Sequence, residues 1–276
     1  MTQDHTTAAP ACYRHPNRHT LLSCSRCGRA ICSSCSIDAA VGQRCPECVR
    51  EEGTQQVIPT TPSQRRRYGD APATKAFIGL AVAFFIITGF GSPQSTIFQD
   101  LAQVNAAVAA GQWWRIFTVV LLHASITHLL FNMWALWVLG PQIERGVGTW
   151  PFVSLYLAAA GVGGVAAFYF GGPFDVGVGA SGAIFGLFGV WLNWALHRRK
   201  TQGGRSLLGQ LGILLFINAA IPFLIPNISW QAHLGGLIAG FVIGELWSHV
   251  KGVNAVQIRT AIGFAVAALA AVAVLV

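Results

Sequence analysis

The sequence predicts an all-α polytopic membrane protein preceded by a small metal-stabilised domain. Of its 276 residues, 53% are hydrophobic and 10% are charged, whereas about 25% charged residues is usual in a soluble domain. The apolar residues are gathered in long stretches after residue 73, and all seven cysteines lie between residues 12 and 48. These observations divide the chain into a cysteine-rich domain at 1–52, a flexible basic linker at 53–73 and a transmembrane domain at 74–276.

The cysteine-rich domain contains eight candidate zinc ligands in four pairs, with two residues between the members of each pair. The pairs are Cys12 and His15, Cys24 and Cys27, Cys32 and Cys35, and Cys45 and Cys48. Because a structural zinc ion takes four Cys or His ligands, often from paired positions, the pattern predicts two zinc ions. Disulfides are the alternative, but the number of cysteines is odd and a cytosolic domain keeps its thiols reduced. His5 and His19 are alternative ligands.

This domain is expected to bind a cytosolic protein rather than to catalyse a reaction. A zinc ion with four protein ligands has no open position for water, and so small a domain has little core without its metal. The linker arginines Arg65, Arg66 and Arg67 are expected to face anionic lipid. Membrane orientation then explains the net charge of +8, and no nucleic-acid partner is expected.

Seven apolar stretches predict helices that cross the lipid bilayer, since a spanning helix needs about 20 mostly apolar residues. The stretches are 75–91, 118–140, 150–171, 179–196, 207–226, 230–248 and 260–276. The first and the last are the shortest. No apolar run occurs in the first 70 residues, so no signal peptide is expected.

The distribution of Lys and Arg predicts the orientation of these helices. Positive residues occur before the first stretch, after the second, between the fourth and fifth, and between the sixth and seventh. The other connections carry none except Arg115. Because cytosolic loops are enriched in Lys and Arg, the N-terminus is expected in the cytosol and, after seven spans, the C-terminus outside. The protein is thus expected to be a multi-pass protein of the plasma membrane.

Polar residues lie near the start of three stretches that run in the same direction. They are His123, His128 and Asn132 in the second stretch, Ser181 in the fourth and His233 in the sixth. Lipid offers no hydrogen-bond partners, so polar groups at membrane depth predict one buried site at a shared depth. A cavity open to the outside would supply the water that a hydrolase needs.

The residue types in this site indicate serine nucleophile chemistry. Ser181 lies in a Gly-x-Ser-Gly turn at a helix start, where free backbone N–H groups can stabilise an anion. His233 is the candidate base, and His128 and Asn132 share a helix face from which both can donate to an oxyanion. Asp175 in an outer loop is the only acid that comes near, which favours a Ser–His dyad over a triad.

Each of these motifs also has a structural alternative. Gly and Ser are common where membrane helices pack, a buried histidine can simply be hydrogen-bonded, and a His with an Asn can clamp two helices together. Small residues recur three or four positions apart at Gly182, Gly186 and Gly189, and at Gly236, Gly240 and Gly244. This spacing allows two helices to pack closely and would bring Ser181 and His233 within hydrogen-bond reach.

In their order along the chain, these motifs resemble those of the rhomboid intramembrane serine proteases. The matching elements are Trp114-Arg115, His123-x4-His128-x3-Asn132, Glu144-Arg145, Gly179-Ala180-Ser181-Gly182 and Ala232-His233-x2-Gly236-x3-Gly240. The resemblance implies a rhomboid-like six-helix core plus a seventh C-terminal helix, with Ser181 as nucleophile and His233 as base. It also implies an oxyanion site of His128, Asn132 and the Ser181 backbone N–H, and it places the Phe185 ring against the catalytic histidine.

The cysteine-rich domain resembles a B-box-type zinc finger, in which the ligand pairs interleave. The resemblance implies one zinc ion on Cys12, His15, Cys32 and Cys35 and another on Cys24, Cys27, Cys45 and Cys48.

The rhomboid resemblance implies an endopeptidase that cleaves transmembrane protein substrates without a catalytic cofactor. A non-catalytic member of the fold is one alternative, but such proteins typically lack the Ser or the His that this chain has. A solute transporter is another, but the sequence lacks the repeated arrangement of charged or broken helices that it predicts.

Overall fold

Two units make up the chain, one within Met1–Arg65 and the other within Arg66–Val276. The computed structural model describes residues 9–39, 42–51, 70–224 and 228–276. His5, the three linker arginines and most of the predicted linker lie outside the described residues. The domain boundaries at 52 and 73 therefore stay predictions.

Short strands and turns bring the cysteines of the first unit together. Its elements are β1 (Ala11–Cys12), β2 (His15–His19), a 3-10 turn at Ser33–Cys35, β3 (Ile37–Asp38), β4 (Gln43–Arg44) and α1 (Pro46–Glu51). Strand β1 pairs antiparallel with β2, and β3 pairs antiparallel with β4. The buried hydrophobic residues described in this unit are six cysteines and Ile31, so thiols rather than aliphatic side chains fill its interior.

The second unit is helical, as predicted. Its helices are α2 (Pro72–Ile87), α3 (Thr96–Leu101), α4 (Asn105–Ala109), α5 (Arg115–Thr118), α6 (Ile126–Val147), α7 (Thr149–Phe170), α8 (Ser181–His197), α9 (Gln202–Leu224), α10 (Trp230–His249) and α11 (Ala255–Ala273). Each predicted apolar stretch overlaps one of the long helices α2 and α6 to α11. Helix α7 packs against α8, α10 and α11.

The second predicted span differs from the structure at its start. The sequence predicts a helix over 118–140, whereas the segment Arg115–Leu121 is bent by 96° from α6. Helix α6 begins at Ile126 because the Ser125 side chain caps it, accepting a hydrogen bond from the His128 N–H at 3.2 Å. His123 therefore lies before the helix and not within it.

Two of the described helices, α7 and α11, are long and apolar enough by themselves to cross a membrane. The bent segment with α6 makes a third if the pair counts as one span. Helices α2 and α8 are shorter, with 16 and 17 residues, and α10 carries the polar Gln231, His233 and Glu245. The seven-span topology thus stays a prediction for the remaining helices.

A buried arginine holds the long connection between α2 and α6. Nη1 of Arg115 donates to the carbonyl oxygens of Gln99 and Ala102, both at 2.6 Å, and its Nε donates to Gln112 Oε1 at 2.6 Å. A buried charge is stable only when it is paired or fully hydrogen-bonded. Arg115 therefore ties α3 and α5 into one ordered segment.

This segment also fixes the chain that leads into α8. Strand β5 (Gln103–Val104) pairs antiparallel with β6 (Val176–Gly177), which lies just before α8. The Gly179 N–H donates to the Val119 carbonyl oxygen at 3.0 Å. Ser181 therefore enters the helix from a turn held on two sides.

A buried carboxylate fastens α6 to the start of α2. Glu144 Oε1 accepts from the Ala73 N–H at 2.9 Å, and Oε2 accepts from the N–H and hydroxyl of Thr74 at 2.9 and 2.8 Å. The Thr149 hydroxyl donates to Oε1 at 3.0 Å. The first N–H groups of a helix have no partner within it and favour a negative charge, so Glu144 acts as a cap for α2.

Candidate active site

Ser181 and His233 meet where two helices begin. Ser181 is the first residue of α8, and His233 lies in the first turn of α10. His233 Nε2 and Ser181 Oγ form a hydrogen bond of 2.8 Å. The neutral imidazole accepts the hydroxyl proton when Nε2 carries the lone pair. Two residues that are 52 positions apart in the sequence are thus placed as a nucleophile and a base must be.

Backbone contact between α8 and α10 sets this distance. A Cβ atom added to Gly236 would lie 1.9 Å from the Gly182 carbonyl oxygen, and one added to Gly240 would lie 1.8 Å from the Gly186 carbonyl oxygen. A Cβ on Gly189 would lie 2.2 Å from the Leu237 carbonyl oxygen. No side chain fits at these points, so the close approach predicted from the glycine spacing is the observed packing.

The His233 ring has two close side-chain neighbours, a hydroxyl at one ring nitrogen and an aromatic ring against one face. The rings of Phe185 and His233 are stacked, with centroids 4.3 Å apart and planes 7° apart. Among the described residues, Ser181 provides the one side-chain hydrogen bond to His233. Asp175, the acid that the sequence brings nearest, accepts a hydrogen bond from the Gly172 N–H in its own loop at 2.7 Å. Among the described residues, no acid thus contacts the His233 ring, and the Phe185 ring lies against one face of the imidazole.

His128 lies close to the Gly179 turn that precedes the nucleophile. His128 Nε2 is 2.6 Å from the point where a Gly179 Cβ would stand, and Ser181 Oγ is 3.8 Å from the same point. Both groups therefore border one small space beside Gly179. Gly179 has a φ of +120°, a conformation that suits glycine, and any side chain there would collide with the His128 ring.

Asn132 lies one turn after His128 on α6, and its side chain is buried. Its Nδ2 donates to the His128 carbonyl oxygen at 2.9 Å. A carboxamide nitrogen has two N–H groups, so one is used by the helix backbone and the second is available. His128 thus lies close to the turn before Ser181, while the Asn132 side chain donates to the backbone of its own helix.

Two cysteine and histidine clusters form candidate metal centres in the first unit. One cluster contains Cys12, His15, Cys32 and Cys35, and the other contains Cys24, Cys27, Cys45 and Cys48, with ligand atoms within 4.8 Å of one another in each. These are the interleaved sets predicted from the sequence. His19 belongs to neither cluster, since its Nδ1 lies 2.7 Å from the Ala9 carbonyl oxygen.

The donor spacing fits tetrahedral zinc. Zn–S bonds of about 2.3 Å place two thiolates of a tetrahedron about 3.8 Å apart, and Cys27 Sγ and Cys45 Sγ are 3.8 Å apart. His15 Nδ1 lies 3.4 Å from the Sγ atoms of Cys32 and Cys35. The Arg29 backbone N–H and guanidinium both donate to Cys27 and lower the pKa of its thiol, which favours the thiolate that binds metal.

Two structural details were not anticipated from the sequence, the role of Glu144 and the position of His123 outside any helix. Glu144 caps the start of α2, a role that a buried glutamate in an apolar helix could have suggested. His123 is fully buried beside His128, with ring centroids 5.1 Å apart, although it belongs to no helix. Its ring has no assigned part in the dyad.

Known proteins resemble this chain over its membrane unit. Residues 110–249, about half of the chain, match the family model of the rhomboid domain. The rhomboid protease GluP of Bacillus subtilis is 39% identical over 176 residues, which cover 63% of this chain and 34% of GluP. YdcA of Bacillus subtilis is 36% identical over 177 residues, which cover 63% of this chain and 88% of YdcA.

A plant relative shows a weaker likeness over the same domain. RHOMBOID-like protein 5 of Arabidopsis thaliana is 33% identical over 144 residues, which cover 50% of this chain and 45% of that protein. The chain thus spans about a third of GluP and most of YdcA. On the domain match and the YdcA coverage together, this chain belongs to the rhomboid family.

Proposed function

We propose that this chain is an intramembrane serine endopeptidase that cleaves transmembrane proteins, with Ser181 as nucleophile and His233 as general base. The hydrogen bond of 2.8 Å between His233 Nε2 and Ser181 Oγ carries this proposal. Two polar side chains in apolar helices are costly unless they have a function, and their mutual geometry is that of a nucleophile and its base.

The reaction follows from this geometry in two stages. His233 Nε2 accepts the Ser181 hydroxyl proton while Oγ attacks the scissile carbonyl carbon, and the protonated ring then gives the proton to the leaving amine. A water molecule, deprotonated by the same ring, hydrolyses the acyl-enzyme. The Phe185 ring keeps the imidazole plane in place through both stages, a role that an acid has in a triad.

The oxyanion of the tetrahedral intermediate needs donors beside Ser181. The proposed donors are the His128 ring N–H, the second Asn132 amide N–H and the Ser181 backbone N–H. The proximity of His128 to the Gly179 turn supports the first. No side chain caps the start of α8, which supports the last, because the N–H groups of a first helical turn lack partners within the helix.

The membrane setting and the first unit complete the proposal. The distribution of Lys and Arg supports a plasma-membrane protein with a cytosolic N-terminus and an external C-terminus. The two clusters support two structural zinc ions, held by Cys12, His15, Cys32 and Cys35 and by Cys24, Cys27, Cys45 and Cys48. Because all positions on each zinc would be filled, this unit is proposed to bind a cytosolic protein or regulate the protease, and the protease itself uses no cofactor.

Purified full-length protein with a model transmembrane substrate and a fluorophosphonate probe tests the assignment. The wild type should cleave the substrate and become labelled at Ser181. Ser181→Ala and His233→Ala should each abolish both, and the double variant should be no worse, since the two residues act as a unit. Ser248→Ala, on the exposed end of α10, is the matched control and should behave as wild type.

Two results would contradict the proposal. Strong cleavage by Ser181→Ala would show that another nucleophile acts. A well-folded wild type that neither cleaves nor reacts with the probe would favour a non-catalytic member of the family.

A further inference from the structure

His123 is a buried polar residue that the proposed dyad does not use. Its side chain is 0% exposed, and neither Nδ1 nor Nε2 has a hydrogen-bond partner among the described residues. A neutral imidazole has one N–H donor and one lone-pair acceptor, and buried groups of this kind are almost always paired with protein or water.

The position of His123 relative to the oxyanion site is specific. Its ring is edge-on to the His128 ring, with centroids 5.1 Å apart and planes 63° apart, and no hydrogen bond joins the two. His128 Nε2 is 2.6 Å from the position of a Gly179 Cβ, and Ser181 Oγ is 3.8 Å from the same position. His123 is therefore next to the ring that approaches the Gly179 turn before the nucleophile.

The backbone of His123 is held by a strained turn. Gly89, Phe90 and Gly91 have φ values of +67°, +61° and +81°, and Phe90 is the one non-glycine residue with positive φ in the described part of the chain. A Cβ on Gly91 would lie 2.2 Å from the His123 carbonyl oxygen. A left-handed phenylalanine persists only where surrounding structure imposes it. The fold thus fixes the His123 backbone while its ring nitrogens lack protein partners.

We propose that His123 is a positioning residue that holds an internal water molecule against His128. Buried waters make about 3 hydrogen bonds to groups that are otherwise unsatisfied. A water that bonds to His123 and donates to His128 Nδ1 leaves the His128 proton on Nε2, because the bond at one ring nitrogen decides which nitrogen is protonated. Of the two ring nitrogens, Nε2 is the nearer to the Gly179 Cβ position, so the water orients the donor toward the proposed oxyanion site.

This inference rests on the proposed protease function, and its test has one arm that needs no activity. Full-length protein labelled with 15N-histidine is compared by NMR as wild type, His123→Phe and His123→Gln, with His128→Ala used to assign the signal. The wild type should hold His128 with its proton on Nε2. His123→Phe should lose this preference, because an aromatic ring of similar size cannot hold the water, and His123→Gln should keep it.

The activity arm separates positioning from folding. His123→Phe should lower kcat by roughly 10- to 100-fold, the range seen when an outer partner of a functional histidine is removed, with KM unchanged. His123→Gln should restore most of the kcat. In a His128→Ala background, His123→Phe should have no further effect, because the water acts through His128.

Several results would overturn the inference. An NMR spectrum that shows the His128 proton on Nδ1 in the wild type would overturn it, even if the His123→Phe variant fails to fold. A folded His123→Phe protein with an unchanged His128 tautomer and an unchanged kcat would also overturn it. So would kcat losses that multiply when His123→Phe and His128→Ala are combined. If the wild type has no protease activity, the NMR arm still decides the tautomer, so failure of the proposed function is distinguishable.

Discussion

The His233 ring has two neighbours that act on its orientation, the Ser181 hydroxyl at 2.8 Å and the stacked ring of Phe185. In a triad, a carboxylate on the far ring nitrogen holds the imidazole and its tautomer. Here no such acid is described, and a flat aromatic surface restricts the ring plane instead. Stacking restrains rotation but provides no charge, so the geometry of Phe185 should matter more than its polarity.

Changing Phe185 tests this at the scale of one side chain. Phe185→Leu should lower kcat because the imidazole can then rotate away from Ser181, with a smaller effect on KM. Phe185→Tyr retains the ring and should keep most of the kcat. Steady-state cleavage of a transmembrane substrate, with fluorophosphonate labelling rates, measures both. Equal activity of the Leu variant and the wild type would mean that stacking does not orient the base.

The proposed oxyanion donors should contribute unequally to kcat. Removing one such donor elsewhere costs roughly 10²–10³ in kcat. His128→Ala should show the larger loss, because one Asn132 N–H is already bound to the His128 carbonyl oxygen. Gln142→Ala, on the exposed part of α6, is the matched control for kcat. Full turnover in the His128 and Asn132 double variant would leave these side chains a structural role only.

At the scale of elements, glycine spacing and polar residues predicted α8 and α10 well. Apolar runs with small residues at three- and four-residue spacing allow two helices to pack closely, and α8 and α10 pack in this way. The bend before α6 was not predicted because the overall apolarity of residues 118–140 does not encode a change of direction, and polar residues such as His123 and His128 are equally compatible with a buried site on one straight helix. Ser125, whose side chain caps α6, was the available signal for the helix start. The bonds of Arg115 to the Gln99 and Ala102 carbonyl oxygens depend on how the connection folds, and those of Glu144 depend on how α6 meets α2, so neither could be predicted from residue spacing.

The α8–α10 contact predicts a position-specific effect of added methyl groups. Gly240→Ala should destabilise the protein by roughly 1–3 kcal/mol, as overpacking does, and should reduce cleavage because the helices must separate. Gly212→Ala in α9 is the control, since a Cβ there meets nothing within 4 Å. Thermal unfolding in detergent and cleavage assays compare the two. Wild-type stability in Gly240→Ala would mean that the backbones are not in contact.

At the scale of the whole molecule, the chain combines one unit whose interior is filled mainly by cysteine thiols with a second unit whose interior is formed by packed apolar helices. The two clusters of the first coincide with the expected ligand sets, because paired spacing restricts the choices and the B-box resemblance implies the interleaved grouping. Which residues surround the clusters, such as Arg29 beside Cys27, was not predictable because it depends on how the turns fold. We therefore expect the two units to have separate sources of stability, metal in one and apolar packing in the other.

Metal analysis of the full chain tests this separation. Two zinc ions per chain are expected, one after Cys12→Ser and one after Cys24→Ser, and two in the control His19→Ala, whose ring lies outside both clusters. Chelation should unfold residues 1–52, while a chain beginning at residue 68 should still cleave substrate. One ion or none in the wild type would refute the two-site reading, and complete inactivity of the well-folded shortened chain would refute the separation.

The backbone contact at Gly236 and Gly240 also has a mechanical consequence. Lateral pressure in a bilayer changes with lipid composition and acts on the gaps between helices. At these glycines the α8 and α10 backbones meet with no side chain between them, and closely packed protein interiors have low compressibility. The separation of Ser181 and His233 should therefore stay constant as the surrounding lipid stiffens or thins, and any lipid dependence of cleavage would arise at the helices that admit the substrate.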